Sequence, residues 1–333
     1  MRRTLPLSML PLLLAPALAA AGPDFTQRGP LDVGRMIVPF TKASETTGEP
    51  RRLETIIWYP AAAGSGAPNT VTEDATVAAV RWPIILFSHG SCGLPAQSPF
   101  YVETLASWGF IVAAPPHPGN QTIDPGCTGQ GPSQVEDSYA NRVADIRFVL
   151  DQLIAASTDA DSPFYRRVDP RRIGMSGHSF GGQTTLRVAA ADPRIDGAVA
   201  LAPAAPTGIT VRTPTMIIGS ELDSLTPFDT AVARSYAALA GPRYLVELLN
   251  TGHCAFALLC AEAFCGTGCE PGTLTVEQGH DLTLYYALPF FLKYVAGNGR
   301  FESDLQPGVE PPFAVVHQAI PGSLPRRTLP FAY

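Results

Sequence analysis

Residues 172–182 run from a short apolar stretch straight into Gly177-His178-Ser179-Phe180-Gly181-Gly182. This segment restricts the fold more than any other part of the chain. A serine set among glycines, after an apolar strand and before a helix, implies a sharp strand-to-helix turn. Small neighbours let strand and helix approach closely, and the serine side chain is pushed out above the sheet. Gly177, Gly181 and Gly182 meet that demand, and residues 183–191 have the composition of the helix that should follow.

The flanking pattern agrees. Residues 83–87 and 110–114 are continuous apolar runs, the mark of strands buried on both faces. Residues 197–201, 215–218 and 244–249 read the same way. Helices are expected over 99–108, 134–156, 228–239 and 282–295; in the longest, Val143, Ile146, Val149, Leu150, Leu153 and Ile154 recur at helical spacing. An earlier, antiparallel strand is expected over 52–59, and a surface loop over 61–69. Strands alternating with helices imply a mostly parallel central sheet with helices on both faces, an α/β architecture. The chain of 333 residues suits one sizeable domain, expected over 20–298, with a Pro-rich tail at 299–333 that packs on or near it.

Composition narrows the partners. With a net charge of −6 and scattered Lys and Arg, nothing resembles a nucleic-acid footprint. Arg2-Arg3, the apolar residues 5–14 and Ala17-Leu18-Ala19 read as a cleaved export signal over 1–19. Pro6, Pro11 and Pro16 and the short length argue against a membrane anchor, so a secreted or periplasmic monomer is expected. In an exported chain the six cysteines, Cys92, Cys127, Cys254, Cys260, Cys265 and Cys269, are expected as disulfides. The favoured pairing is Cys92 with Cys127, plus two bridges within the cluster. That cluster lacks the paired C-x2-C knuckles of a structural zinc site, so no metal is expected.

In open α/β sheets chemistry gathers beyond the carboxyl ends of the strands. A serine hydroxyl needs a base to take its proton and a carboxylate to orient that base. Strand 215–218 ends in Ser220-Glu221-Leu222-Asp223, and strand 244–249 in Asn250-Thr251-Gly252-His253. Asp223 and His253 are therefore the candidate partners of Ser179, with Glu221 as the alternative acid. The oxyanion donors are expected to be the backbone N–H of Phe180 and that of Ser91, in the loop His89-Gly90-Ser91-Cys92-Gly93. His178 is read as a packing or hydrogen-bonding residue. His117, Leu94, Leu225 and Phe256 are candidate substrate contacts.

Phe87-Ser88-His89-Gly90, His117-Pro118-Gly119 and Gly177-His178-Ser179-Phe180-Gly181-Gly182 resemble bacterial α/β-hydrolases of the dienelactone-hydrolase-like and platelet-activating-factor acetylhydrolase-like group. The likeness covers roughly residues 35–295. It implies a serine esterase acting on a small-molecule, lipid or polymer ester without metal or cofactor. Two departures matter. The loop after the strand that follows the serine turn, Leu201-Ala202-Pro203-Ala204-Ala205, has no carboxylate, and an acid at Asp223 looks more like cutinases and polyester hydrolases. Those enzymes usually carry a Trp where this chain has Ala204. An exported serine peptidase or amidase, or a non-catalytic binding protein on the same scaffold, are the alternatives.

Overall fold

The computed structural model describes residues 23–258, 266–270, 272–305 and 313–320. The expected export signal, Cys260 and Cys265 lie outside the described residues. The sheet is assembled from β1 (Val33–Ala43), β2 (Pro50–Pro60), β3 (Val71–Glu73), β4 (Trp82–Ser88), β5 (Ile111–Ala114), β6 (Val168–His178), β7 (Gly197–Leu201), β8 (Thr215–Ser220), β9 (Arg243–Leu248) and β10 (Ala314–Ile320). Their spatial order is β10-β9-β8-β7-β6-β4-β5-β2-β1-β3. The six strands from β5 through β9 run parallel. On one side β2 joins β5 antiparallel and β1 joins β2; on the other, β10 closes antiparallel on β9. This is the expected α/β-hydrolase architecture.

Apolar runs become double-faced strands because successive side chains point to opposite sides of a sheet. In β4, Ile85 and Phe87 enter one hydrophobic core while Ile84 and Leu86 enter the other. β7 divides in the same way, with Val199 and Leu201 against Ala198 and Ala200. The first core is covered by α1 (Pro99–Ser107) and α6 (Val276–Tyr294). The second is covered by α3 (Val135–Ala156), α4 (Phe180–Ala191) and α5 (Ala233–Ala237). A further short helix, α2 (Pro125–Thr128), lies in the loop after β5.

Several elements differ from expectation. β1 is a full-length strand, and β10 arises from the Pro-rich tail, carrying Ala314 and Val316 into the first core. α6 begins at Val276, six residues before the apolar spacing becomes regular. Thr275 caps it: its hydroxyl accepts from Gln278 N at 3.3 Å, and Gln278 Oε1 accepts from Thr275 N at 2.9 Å. Among the described residues, no helix is long and apolar enough to cross a membrane.

Candidate active site

β6 delivers Ser179 on a turn that the backbone resists. Its φ of 59° and ψ of −117° lie in a region that L-residues avoid. The turn is held by Ser179 N donating to Leu201 O at 2.8 Å, and by Gln183 N and Ala204 N donating to Ser179 O at 3.0 and 3.2 Å. The neighbours must be glycine. A Cβ on Gly181 would overlap the Ser88 carbonyl oxygen, and one on Gly177 would stand 2.5 Å from Gly181 O. Ser179 is half-buried, not enclosed in the core. α4 starts at Phe180 rather than at residue 183, which leaves the Phe180 N–H at the open end of a helix.

The loops after β8 and β9 bring Asp223 and His253 together. His253 Nδ1 donates to Asp223 Oδ2 at 2.7 Å, with both side chains buried. The remaining valences of the carboxylate are filled. Oδ1 accepts from Leu225 N and Thr226 N, both at 2.8 Å, and Oδ2 accepts from the Thr226 hydroxyl at 2.7 Å. Burial pushes the Asp223 carboxyl up. The hydrogen bonds from His253 and Thr226 outweigh that and hold it below the usual carboxylate range. The alternative acid, Glu221, is exposed and accepts from Asn250 N at 2.8 Å.

His178 is tied to this pair. Its Nε2 donates to His253 O at 3.0 Å, and its Nδ1 accepts from Gln97 Nε2 at 2.6 Å. Gln97 Oε1 in turn accepts from Gly90 N at 2.8 Å. One side chain thus connects the loop after β4, the serine turn and the His253 loop. Burial, aided by the His253 ring, drives His178 well below the ordinary imidazole range, so it stays neutral. Gln97 had no signature in the sequence.

The loop after β4 approaches Ser179 closely: a Cβ placed on Gly90 would stand 3.5 Å from Ser179 Cβ. The amides of Gly90 and Gly93 are engaged by Gln97 Oε1 and Gly90 O. The Ser91 N–H has no hydrogen bond among the described residues. A disulfide joins Cys92 to Cys127 with Cα atoms 5.5 Å apart, as expected. Thr122 reinforces the same junction, its N donating to Gly93 O at 3.0 Å and its hydroxyl to Cys92 O at 2.6 Å. Cys254 and Cys269 are also disulfide-bonded.

Two candidate substrate contacts are corrected. His117 is wholly buried behind the sheet end; its Nδ1 donates to Asp145 Oδ2 at 3.1 Å and its Nε2 accepts from Ser88 Oγ at 2.9 Å. A residue just past a strand end faces the cleft or the core, and sequence position does not distinguish the two. Phe256 is also fully buried, in the first core, 5.6 Å from the His178 ring. Leu94 and Leu225 are exposed, at 42% and 52%, on the loops carrying Ser91 and Asp223. A groove of about 910 Å3 lies elsewhere, lined by Ile37, Arg52, Pro95, Pro118, Ile123 and Gln134; neither Ser179, Asp223 nor His253 contributes to it.

Beneath the loop after β4 lies a buried polar layer. Asp145 accepts from Arg51 Nη2 at 2.9 Å and from His117, while His89 Nε2 accepts from His117 N at 3.1 Å and His89 Nδ1 donates to Gly90 O at 2.8 Å. Arg142 fills the rest of this layer and contacts the carbonyls of His89 and Gly90.

With this geometry in place, the chain can be set beside known proteins. A model of the PET hydrolase-like family matches residues 76–262, more than half of the chain. Cutinase 2 of Thermobifida cellulosilytica is 32% identical over 178 residues, covering 53% of this chain and 59% of that protein. Cutinase cut1 of Thermobifida fusca is also 32% identical over 178 residues, covering 49% of its own length. Lipase 1 of Moraxella sp. (strain TA144) is 29% identical over 185 residues, covering 52% of each. The chain spans about half the length of these relatives. A solved ferulic acid esterase from Streptomyces cinnamoneus superposes with a TM-score of 0.67 over 87% of this chain and 97% of its own, at 23% identity, a likeness of fold.

Proposed function

The chain belongs to the PET hydrolase-like family, and we propose that it is an exported serine hydrolase that cleaves carboxylic esters through an acyl-enzyme on Ser179. The observation that carries this reading is the buried 2.7 Å hydrogen bond from His253 Nδ1 to an Asp223 carboxylate whose other lone pairs are already occupied. That bond fixes the imidazole in the tautomer whose Nε2 is unprotonated and able to accept a proton.

The chemistry follows. Nε2 of His253 takes the Ser179 hydroxyl proton as Oγ forms a bond to the ester carbonyl carbon, and the carbonyl oxygen becomes an oxyanion. The Phe180 and Ser91 amides donate to that oxygen. Collapse breaks the bond to the alkoxy oxygen, which leaves as the alcohol with the proton from His253. Water then repeats the sequence on the acyl-enzyme, releasing the acid and restoring Ser179. Asp223 stays ionised throughout and stabilises the transient imidazolium. Leu94 and Leu225 offer apolar surface for the acyl or alcohol portion.

Relatives named cutinase and lipase favour an ester over a peptide bond as the substrate. The test is a series of p-nitrophenyl esters of increasing acyl length, beside peptide anilides, on wild type and Ser179→Ala. Turnover of short esters that vanishes in the variant is expected. Turnover retained by Ser179→Ala, or cleavage of anilides in preference to esters, refutes the assignment.

A further inference from the structure

The two segments carrying the oxyanion donors meet on a single side chain. Arg142, on α3, is wholly buried. Its Nη1 donates to His89 O at 2.7 Å and Ser88 Oγ at 3.2 Å. Its Nη2 donates to Asn120 Oδ1 at 2.8 Å and Gly90 O at 3.3 Å, and its Nε to Ser138 Oγ at 3.3 Å. The flat face of the same guanidinium lies 4.3 Å from the centre of the Phe180 ring. Tyr139 stacks parallel to Phe180, with centroids 5.9 Å apart, and Arg187 stands 3.8 Å from the centre of the Tyr139 ring. Arg142, Phe180, Tyr139 and Arg187 thus form a stack that holds Phe180, the first residue of α4, between Arg142 and Tyr139.

A trans peptide is planar, with its C=O and N–H pointing in opposite directions. The Gly90 carbonyl accepts from His89 Nδ1, Arg142 and Gly93 N, so the N–H of the same peptide, that of Ser91, is turned away from them, and Gly90 itself lies close to Ser179. Asn120 adds a second link, since its Oδ1 accepts from Arg142 and its Nδ2 donates to Ser91 Oγ at 3.1 Å. Among the described residues no carboxylate forms an ion pair with Arg142; Asp145, in the same layer, acts on it only at longer range, and the hydrogen bonds of Arg142 all go to neutral acceptors. A buried charge without a directly paired carboxylate is costly for stability and is not what core packing alone selects. We propose that Arg142 is a positioning residue that sets the Ser91 and Phe180 amides relative to each other and so shapes the oxyanion hole. It touches no substrate, and the proposal rests on the ester-hydrolase reading above.

The test uses the full chain with Arg142→Lys, Arg142→Met and Asn120→Ala. A lysine keeps the charge but can neither fork to two carbonyls nor lie flat on the Phe180 ring. Active sites are counted by complete labelling with a p-nitrophenyl phosphonate, and kcat is expressed per labelled site. For Arg142→Lys, kcat per site should fall by about 10- to 100-fold, with KM changed less than threefold. Butylboronic acid, whose tetrahedral adduct presents an oxygen to the same donors, should weaken by the same factor. Asn120→Ala should show a smaller loss in the same direction, and carries the test if the arginine variants do not fold. The backbone amide resonances of Ser91 and Phe180 should shift in each variant. A kcat per labelled site within twofold of wild type, a loss confined to the labelled fraction and melting temperature, or boronate affinity that does not follow kcat overturns the proposal. Ester turnover absent from wild type, or kept by Ser179→Ala, removes the ester reading instead; the amide resonances then still decide whether Arg142 sets the two peptides.

Discussion

Replacing Ser179 with glycine should make the protein more stable than replacing it with alanine. Both variants lose the hydroxyl, so any difference between them reports the backbone. At φ 59° and ψ −117° a side chain at this position strains the turn, and a residue held in such a region costs about 1–3 kcal/mol. Glycine adopts the same angles freely but gives the unfolded chain more freedom, an opposing effect of about 0.4–1 kcal/mol. The net advantage of Ser179→Gly over Ser179→Ala is therefore about 0.5–2 kcal/mol. For a chain of this size that corresponds to a rise of about 1–5 °C in melting temperature. Urea unfolding and thermal melts of the two variants measure it directly. If the glycine variant melts at or below the alanine variant, the strain assigned to Ser179 is refuted.

Two further predictions concern stability. His89, His117 and His178 are buried, and burial holds each well below the ordinary imidazole value. Folded, they stay neutral while the unfolded chain takes up protons near pH 6.5, so stability is complete above that value and falls as pH drops, by up to about 1.4 kcal/mol per pH unit for each histidine. Asp145 and Glu103, raised by burial, return part of this, while the lowered Asp223 is lost only below about pH 4. Urea unfolding at pH 5.5 should thus show about 2–4 kcal/mol less stability than at pH 7.5, and equal midpoints would disprove it. The Cys92–Cys127 bridge closes a loop with a sequence separation of 35, so the Cys92→Ala/Cys127→Ala variant should lose about 3–4 kcal/mol; a loss under about 1 kcal/mol would show that hydrogen bonds such as Thr122 to Gly93 suffice to hold the junction.

The serine turn, the acid-bearing loop and the His253 loop were legible because each is a local pattern at the end of an apolar run. The parallel strands were legible for the same reason. β1 was not, because half of its side chains face solvent and Arg35 and Pro39 interrupt its apolar content; it is specified by eleven paired positions with β2 rather than by its own composition. β10 was hidden in a Pro-rich tail and exists through its pairing with β9. Within the site, the residues missed act across long sequence distances. Gln97 and Arg142 sit in unremarkable local sequence and gain meaning only where loops from different strands converge. His117 and Phe256 were misjudged for the converse reason: adjacency to a promising loop does not reveal which way a side chain turns.

The placement of β10 has a consequence for how the molecule comes into being. Ribosomes and export machines deliver a chain from its amino end. Ser179, Asp223 and His253 all precede the strand that seals β9. During that interval β9 presents an open row of N–H and C=O groups, an invitation to pair with another chain. The loops of the candidate site therefore exist before the scaffold beside them is shut, and the residues that end the danger of self-association arrive only after them.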